Sequence, residues 1–334
     1  MWSEYLLFLL KAVTVLVVLI MLVTTIARIS RGGAGAASNQ GRLLVKNLND
    51  DLGKLADGIR EEVLDKKALK AQHKKDKERA KAEAGQLKAR LWVLQFKGDI
   101  QASQVDNLRR EINALLQVAE RTDEVVVLVE SPGGAVSGYG LAASQLARIR
   151  DAGLKLTVCV DKVAASGGYM MACVADRIIA APFAMVGSIG VLAQVPNIHN
   201  FLKRHDVDVE VLTAGKHKAP LTLMGEKTEE GREKFLGDLK AIHLRFKQLV
   251  GRYRPQLDLD RVTEGDFWLA EDALELGLVD DIQTSDAYLI PQCKTRDVIS
   301  VKWQPKQKLE GRLKKIFGSM QDDLLNRLFQ RWLP

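Results

Sequence analysis

The sequence predicts an α/β fold. Strand-like apolar runs alternate with helical segments from about residue 89 to residue 290, several of those runs end in glycine-rich turns, and an apolar content of 47% supplies a core. The elements follow in chain order.

Residues 1–30 read as a transmembrane anchor. Tyr5–Ala27 is mostly apolar with only Lys11 charged, and a bilayer core needs about 20 mostly apolar residues in a helix. A cleaved signal peptide is the competing reading, helped by the small residues Ala34–Ser38, but no basic region precedes the apolar run and the run is long. Arg28, Arg31, Arg42 and Lys46 follow the span, so the positive-inside rule favours a cytoplasmic body. Residues 31–88 read as a flexible linker, Arg31–Gly41, and then a charged helical stalk from Leu43.

The net charge of +7 belongs mostly to that stalk, since residues 41–90 hold 14 Lys and Arg against 9 Asp and Glu. The main domain is nearly balanced, which argues against a nucleic-acid face. Three cysteines, none in CxxC spacing, give neither a disulfide framework nor a zinc site, and no cofactor or metal is expected.

From residue 89 the elements alternate. Leu91–Ile100 reads as a buried strand and Ala102–Glu120 as an amphipathic helix. Glu124–Gly134 is a strand ending in Pro-Gly-Gly, followed by a helix over Tyr139–Asp151. Leu154–Ala164 is a strand running into the helix after Ser166, and Asp176–Pro182 and Met185–Val195 hold further short strands. Val207–Gly215 alternates as a strand does, Glu229–Tyr253 is a long charged helix, and Asp266–Ile282 is a helix stopped by Gly277 that passes into a strand. Residues 291–334 read as an amphipathic extension, most clearly over Leu313–Pro334.

Acyl-bond hydrolysis needs a nucleophile, a base and donors aimed at the developing oxyanion. Ser166, in Ala-Ala-Ser-Gly-Gly, opens a helix directly after a strand, and Gly167 behind it offers a backbone N–H. The same serine could simply cap the helix. It is not in a GxSxG elbow, because Ala164 holds the first glycine position. Ser131-Pro-Gly-Gly134 exposes the N–H groups of Gly133 and Gly134, or is a plain turn. The five histidines form no recognisable triad, whereas the loop Thr213–Thr222 carries Lys216, His217 and Lys218 before Pro220. A lysine can replace histidine as base once an apolar site has removed its charge.

Together, and in this order, Ser131–Gly134, Ala165–Ala180, Val186–Val191, Gly215–Pro220 and Trp268–Asp280 resemble the signal peptide peptidase A / SohB family of membrane-anchored serine–lysine peptidases. The resemblance covers about residues 91–283. It implies a ClpP/crotonase-like fold of repeated β-β-α units over residues 89–290. The activity it implies is an inner-membrane serine endopeptidase acting through an acyl-enzyme on signal-peptide remnants, membrane proteins or misfolded proteins. By motif position Ser166 would be the nucleophile and Lys218, 52 residues downstream, the general base. Ser188 would orient the lysine, and Gly133, Gly134 and Gly167 would supply or shape the oxyanion hole. Family members often show Lys-Tyr-Lys where this chain has Lys216-His217-Lys218.

The implied partners are peptide or protein substrates, membrane lipid through residues 5–29, and further copies of the chain in a ring whose sites are shared between subunits. The family's periplasmic-facing domain and the charge flanking the span point to opposite sides of the membrane. Two other classes compete: a crotonase-type acyl-CoA enzyme, for which a Ser/Lys dyad is superfluous, and a non-catalytic membrane scaffold.

Overall fold

The computed structural model describes residues 41–83 and 88–305, together with Thr14. The expected anchor, residues 5–27, and the amphipathic stretch 313–334 lie outside the described residues. Among the described residues no helix is long and apolar enough to cross a membrane.

The described residues form ten strands and ten helices in chain order. They are β1 (Arg42–Asn47), α1 (Leu48–Val63), α2 (Lys66–Glu83), β2 (Arg90–Lys97), α3 (Val105–Leu115), β3 (Glu124–Glu130), α4 (Val136–Asp151), β4 (Lys155–Val160), β5 (Val163–Ala165) and α5 (Gly167–Ala172). After these come β6 (Arg177–Ala180), β7 (Met185–Gly187), α6 (His199–Arg204), α7 (Glu229–Tyr253), α8 (Leu259–Val262), β8 (Phe267–Leu269), α9 (Ala270–Glu275), β9 (Asp281–Ile282), α10 (Ser285–Gln292) and β10 (Asp297–Gln304).

A seven-stranded sheet has the order β1-β10-β2-β3-β4-β6-β9, and its pairs from β10 to β9 are all parallel. Parallel strands covered on both faces read as unbroken apolar runs, as the central strand β3 does over Val125–Val129. Successive side chains then divide between two layers. Trp92, Leu94 and Phe96 of β2 join Val125, Val127 and Val129 of β3 in the larger core under α3, α4 and α5. Leu91, Val93 and Val126 face the other way, onto Tyr288 and Leu289 of α10. At the edge of that second layer Glu124 is buried. Desolvation alone would raise its pKa, but hydrogen bonds from Tyr288, Thr157 and Arg296 outweigh it and hold the carboxyl below its ordinary value.

A second sheet, β5-β7-β8, holds the functional turns, with β5 and β7 parallel and β7 and β8 antiparallel. The run β4-β5-α5 is a β-β-α unit whose two strands belong to different sheets.

Several expectations are corrected. The stalk does not begin as a helix: Arg42–Asn47 is a strand beside β10, and the helical part breaks at Leu64–Asp65 into α1 and α2. The side chain of Asn49 fixes that entry, donating to the carbonyls of Cys293 and Arg296 and accepting from Val298 N–H. The stretch read as an extension contributes β10, which lies between β1 and β2. Val207–Gly215 is irregular, not a strand, because its alternating residues find no neighbouring strand among the described residues; Val207, Val211 and Leu212 are all exposed. Of Met185–Val195 only Met185–Gly187 pairs, and a short strand, β8, precedes the helix expected over Asp266–Ile282.

Candidate active site

Strand β5 brings the chain to Ser166. Ala165 pairs with Gly187, and Ser166 N–H donates to Gly187 O at 2.8 Å. The backbone then turns abruptly, with Ser166 at φ 51° and ψ −118°, a region that L residues avoid. Holding a serine there costs about 1–3 kcal/mol, which the surrounding β5 and α5 packing must offset. Ser166 occupies the cap position of α5 and its carbonyl accepts from Met170 N–H at 2.9 Å, yet its side chain makes no capping hydrogen bond. The hydroxyl is therefore not spent on the helix.

Two glycine turns meet this one. A Cβ on Gly133 would lie 2.7 Å from Ser166 Cβ and 2.8 Å from Gly167 N, and Gly133 sits at φ +93°, so only glycine fits. Its N–H donates to Ser131 Oγ at 3.1 Å. The N–H of Gly134 and that of Gly167 have no hydrogen-bond partner among the described residues. These two N–H groups are free to serve a developing oxyanion, whereas Gly133 shapes the bend. Gly134, Ser166, Gly167, Met170, Gly190 and Phe246 line one small cleft.

Ser188 lies next to Gly187 on the neighbouring turn, at φ 50°, with its N–H on Asp266 O at 2.6 Å. Its side chain has no partner among the described residues. Lys218 is elsewhere. It is exposed on the irregular segment after α6, its N–H donates to Gly215 O, and no hydrogen bond joins it to Ser166 or Ser188. The adjacent Lys216 pairs with Glu230 at 2.8 Å. Thus one chain brings together Ser166, Ser188, Gly133, Gly134 and Gly167, but not Lys218. Among the described residues no histidine hydrogen-bonds Ser166, and His243 Nε2 lies 3.2 Å from Ile189 O and 2.8 Å from Thr263 O, which commits that nitrogen to donating.

Two side chains to which the sequence motifs give no role, Tyr139 and Ser131, stand behind these turns. Both are fully buried, their hydroxyls are 2.6 Å apart, and Tyr139 donates to Asp99 O at 2.8 Å. Burial pushes the Tyr139 phenol above its ordinary value, so it keeps that proton at neutral pH.

Comparison with known proteins gives the chain a family. Residues 1–146 match the peptidase family S49 N-terminal model, and residues 148–295 match the peptidase family S49 model. "Probable protease SohB" of Haemophilus influenzae is 52% identical over 239 residues, covering 72% of this chain and 67% of that protein.

The chain belongs to peptidase family S49.

A second SohB relative of this S49 group, from Buchnera aphidicola subsp. Baizongia pistaciae, is 41% identical over 312 residues, covering 87% of this chain and 89% of its own. The solved structure of a ClpP1 point mutant from Listeria monocytogenes aligns over 59% of this chain and 94% of that one, with a TM-score of 0.41 and 14% identity. For this S49 chain the fold class rests on its own mixed α/β sheet order. The family makes it a peptidase of the serine type.

Proposed function

We propose that this S49 chain is a ClpP/crotonase-like serine endopeptidase, held at the bacterial inner membrane by residues 5–27, in which Ser166 is the nucleophile and Lys218 of a neighbouring copy is the general base. The observation that carries the reading is the Ser166 turn: a strained serine whose hydroxyl does not cap its helix, beside two unpaired N–H groups. Lys218 is exposed and makes no hydrogen bond to its own Ser166, as expected of a base delivered to another subunit. Exposed Leu192 before α6, Phe201 in it and Leu212 after it give a second copy apolar surface to bury, with Leu192 and Leu212 at 80% and 81% exposure.

In this mechanism a neutral Lys218 amine takes the Ser166 proton as Oγ adds to the scissile carbonyl. The new oxyanion accepts from Gly134 N–H and Gly167 N–H. The ammonium then protonates the departing amine, leaving an acyl-enzyme; water adds to its carbonyl as Lys218 takes a proton, and the Ser166 ester bond breaks as Lys218 returns that proton to Oγ and the carboxyl product leaves. Deprotonated lysine at neutral pH needs desolvation, which seating between subunits supplies. Ser188 would hydrogen-bond the amine and aim it.

The test is hydrolysis of a fluorogenic peptide and of casein by purified full-length protein. Ser166→Ala and Lys218→Ala should each lower kcat by about three orders of magnitude or more. Wild-type rates in either variant would overturn its assigned role.

A further inference from the structure

The unpaired N–H of Gly134 is framed on both sides by hydrogen bonds. On one side Gly133 N–H donates to Ser131 Oγ, and on the other Ala135 N–H donates to Ile100 O at 2.7 Å. These two anchors are themselves joined. Tyr139 has one proton and gives it to Asp99 O, a carbonyl that can only accept, so the 2.6 Å contact between the two hydroxyls has Ser131 as donor. The chain Gly133–Ser131–Tyr139–Asp99, continued through the peptide from Asp99 to Ile100 and on to Ala135, closes a ring of bonds around Gly134.

Three further facts tie that ring to the nucleophile. Ser131 N–H donates to Val163 O at 2.8 Å and Ser131 O accepts from Ala165 N–H at 3.0 Å, so the same residue holds the strand that delivers Ser166. The Tyr139 ring lies against Gly167, where a Cβ would come within 2.3 Å of Cγ. Space for the hydroxyl pair is kept by Gly98, whose Cβ would lie 2.3 Å from both Ser131 Oγ and Tyr139 Oη.

We propose that Ser131 and Tyr139 are positioning residues whose paired hydroxyls fix the Gly134 N–H relative to Ser166 and the Gly167 N–H, setting the oxyanion geometry of the peptidase reaction. The assignment rests on the reading of Ser166 as nucleophile and of Gly134 and Gly167 as oxyanion donors. Buried, fully partnered hydroxyls suit this task, because each bond limits the others in a low-dielectric interior. A donor displaced by a few tenths of an ångström loses stabilisation in the transition state and little in the ground state.

The test compares full-length Ser131→Ala, Tyr139→Phe and Gly98→Ala with wild type. Its measurements are kcat and KM on a fluorogenic peptide, inhibition by a peptide aldehyde that forms a tetrahedral adduct, and inhibition by the amino-terminal product peptide. Ser131→Ala should lower kcat by about 10- to 100-fold with KM within about twofold, and Tyr139→Phe by a smaller factor. Aldehyde affinity should fall in the same ratio as kcat while product affinity holds. The double variant should be no worse than Ser131→Ala, since both act on one chain of bonds. Gly98→Ala, which forces the hydroxyls apart without removing either, should reproduce the loss.

Tyr139→Phe loses one oxygen and no volume elsewhere, so it carries the test if Ser131→Ala does not fold. A kcat within about twofold of wild type in the folded variants overturns the proposal. So does a loss shared equally by kcat, product affinity and thermal midpoint, which marks a general packing role. Ser166→Ala in the same assay separates the layers. If it is inactive while Ser131→Ala and Tyr139→Phe are normal, the positioning role alone falls; if it is active, the nucleophile assignment falls and takes the positioning role with it.

Discussion

The proposed nucleophile and the proposed base occupy opposite kinds of structure. Ser166 is held between a three-stranded sheet and a buried helix, with its backbone bonded on both sides. Lys218 stands on an exposed segment with no regular structure between α6 and α7. The difference teaches where each half gets its precision. The serine's geometry is complete within one chain, because its strain requires a rigid frame. Within one chain the lysine's surroundings are open, and the proposed assembly is what would complete them.

The sharpest way to break that comparison is to separate the halves. Ser166→Ala and Lys218→Ala proteins, each inactive alone, should regain activity when co-assembled, since some sites then combine the intact serine of one copy with the intact lysine of the next. Random mixing in equal amounts would give about one quarter of wild-type sites. No recovery in a verified mixed assembly would place the base on the same chain as its serine.

A glycine pair tests rigidity. Gly133→Ala puts a Cβ against Ser166 at φ +93° and should cost a hundredfold or more in kcat, together with about 1–3 kcal/mol of stability in urea unfolding. Gly215 has nearly the same dihedral, φ +100°, but nothing lies within 4 Å of its added Cβ. Gly215→Ala should therefore change stability by about 1 kcal/mol or less and reduce activity less than tenfold. Equal effects at both glycines would mean that the two regions are not so different.

A last effect touches stability and leaves the reaction alone. Glu111 on α3 is buried, accepts the Trp303 backbone N–H at 2.6 Å on one oxygen and has no partner among the described residues on the other; burial pushes its pKa from 4.5 up to about 7. Between those values the folded chain keeps a proton that the unfolded chain has released. Stability should then fall as pH rises from about 4.5 through 7, by up to about 3 kcal/mol. Urea midpoints at pH 5 and pH 8 measure the fall, and Glu111→Gln should flatten it. A midpoint that rises with pH in the wild type and not in Glu111→Gln would contradict the sign.

The central strands were legible because burial on both faces leaves continuous apolar runs, as in Leu91–Phe96 and Val125–Val129. The passage at Ser166 from a strand into a helix was legible from the small and apolar residues around it. The Ser166 backbone was not: Ala164 and Ala165 carry no sign of a strained turn, and nothing marks Ser166 or Ser188 as a positive-φ residue. Edge strands were misread for an ordinary reason. Residues of β1 are half-buried or exposed, so their composition matches the charged segment that follows. Val207–Gly215 failed in the opposite sense, since alternation suits a strand but cannot create the partner that a strand needs. The Ser131–Tyr139 pair obeys no helical or strand period, because it is made across a turn.

The place of β10 between β1 and β2 has a consequence for how the molecule is made. On a ribosome β1 emerges first and its sheet neighbour emerges about 250 residues later. Strands β2, β3 and β4 can pair as they appear, but that side of the sheet stays open until synthesis has passed residue 304. For most of that interval β2 presents a bare edge, the kind of surface that chaperones cover and that neighbouring nascent chains can pair with by mistake.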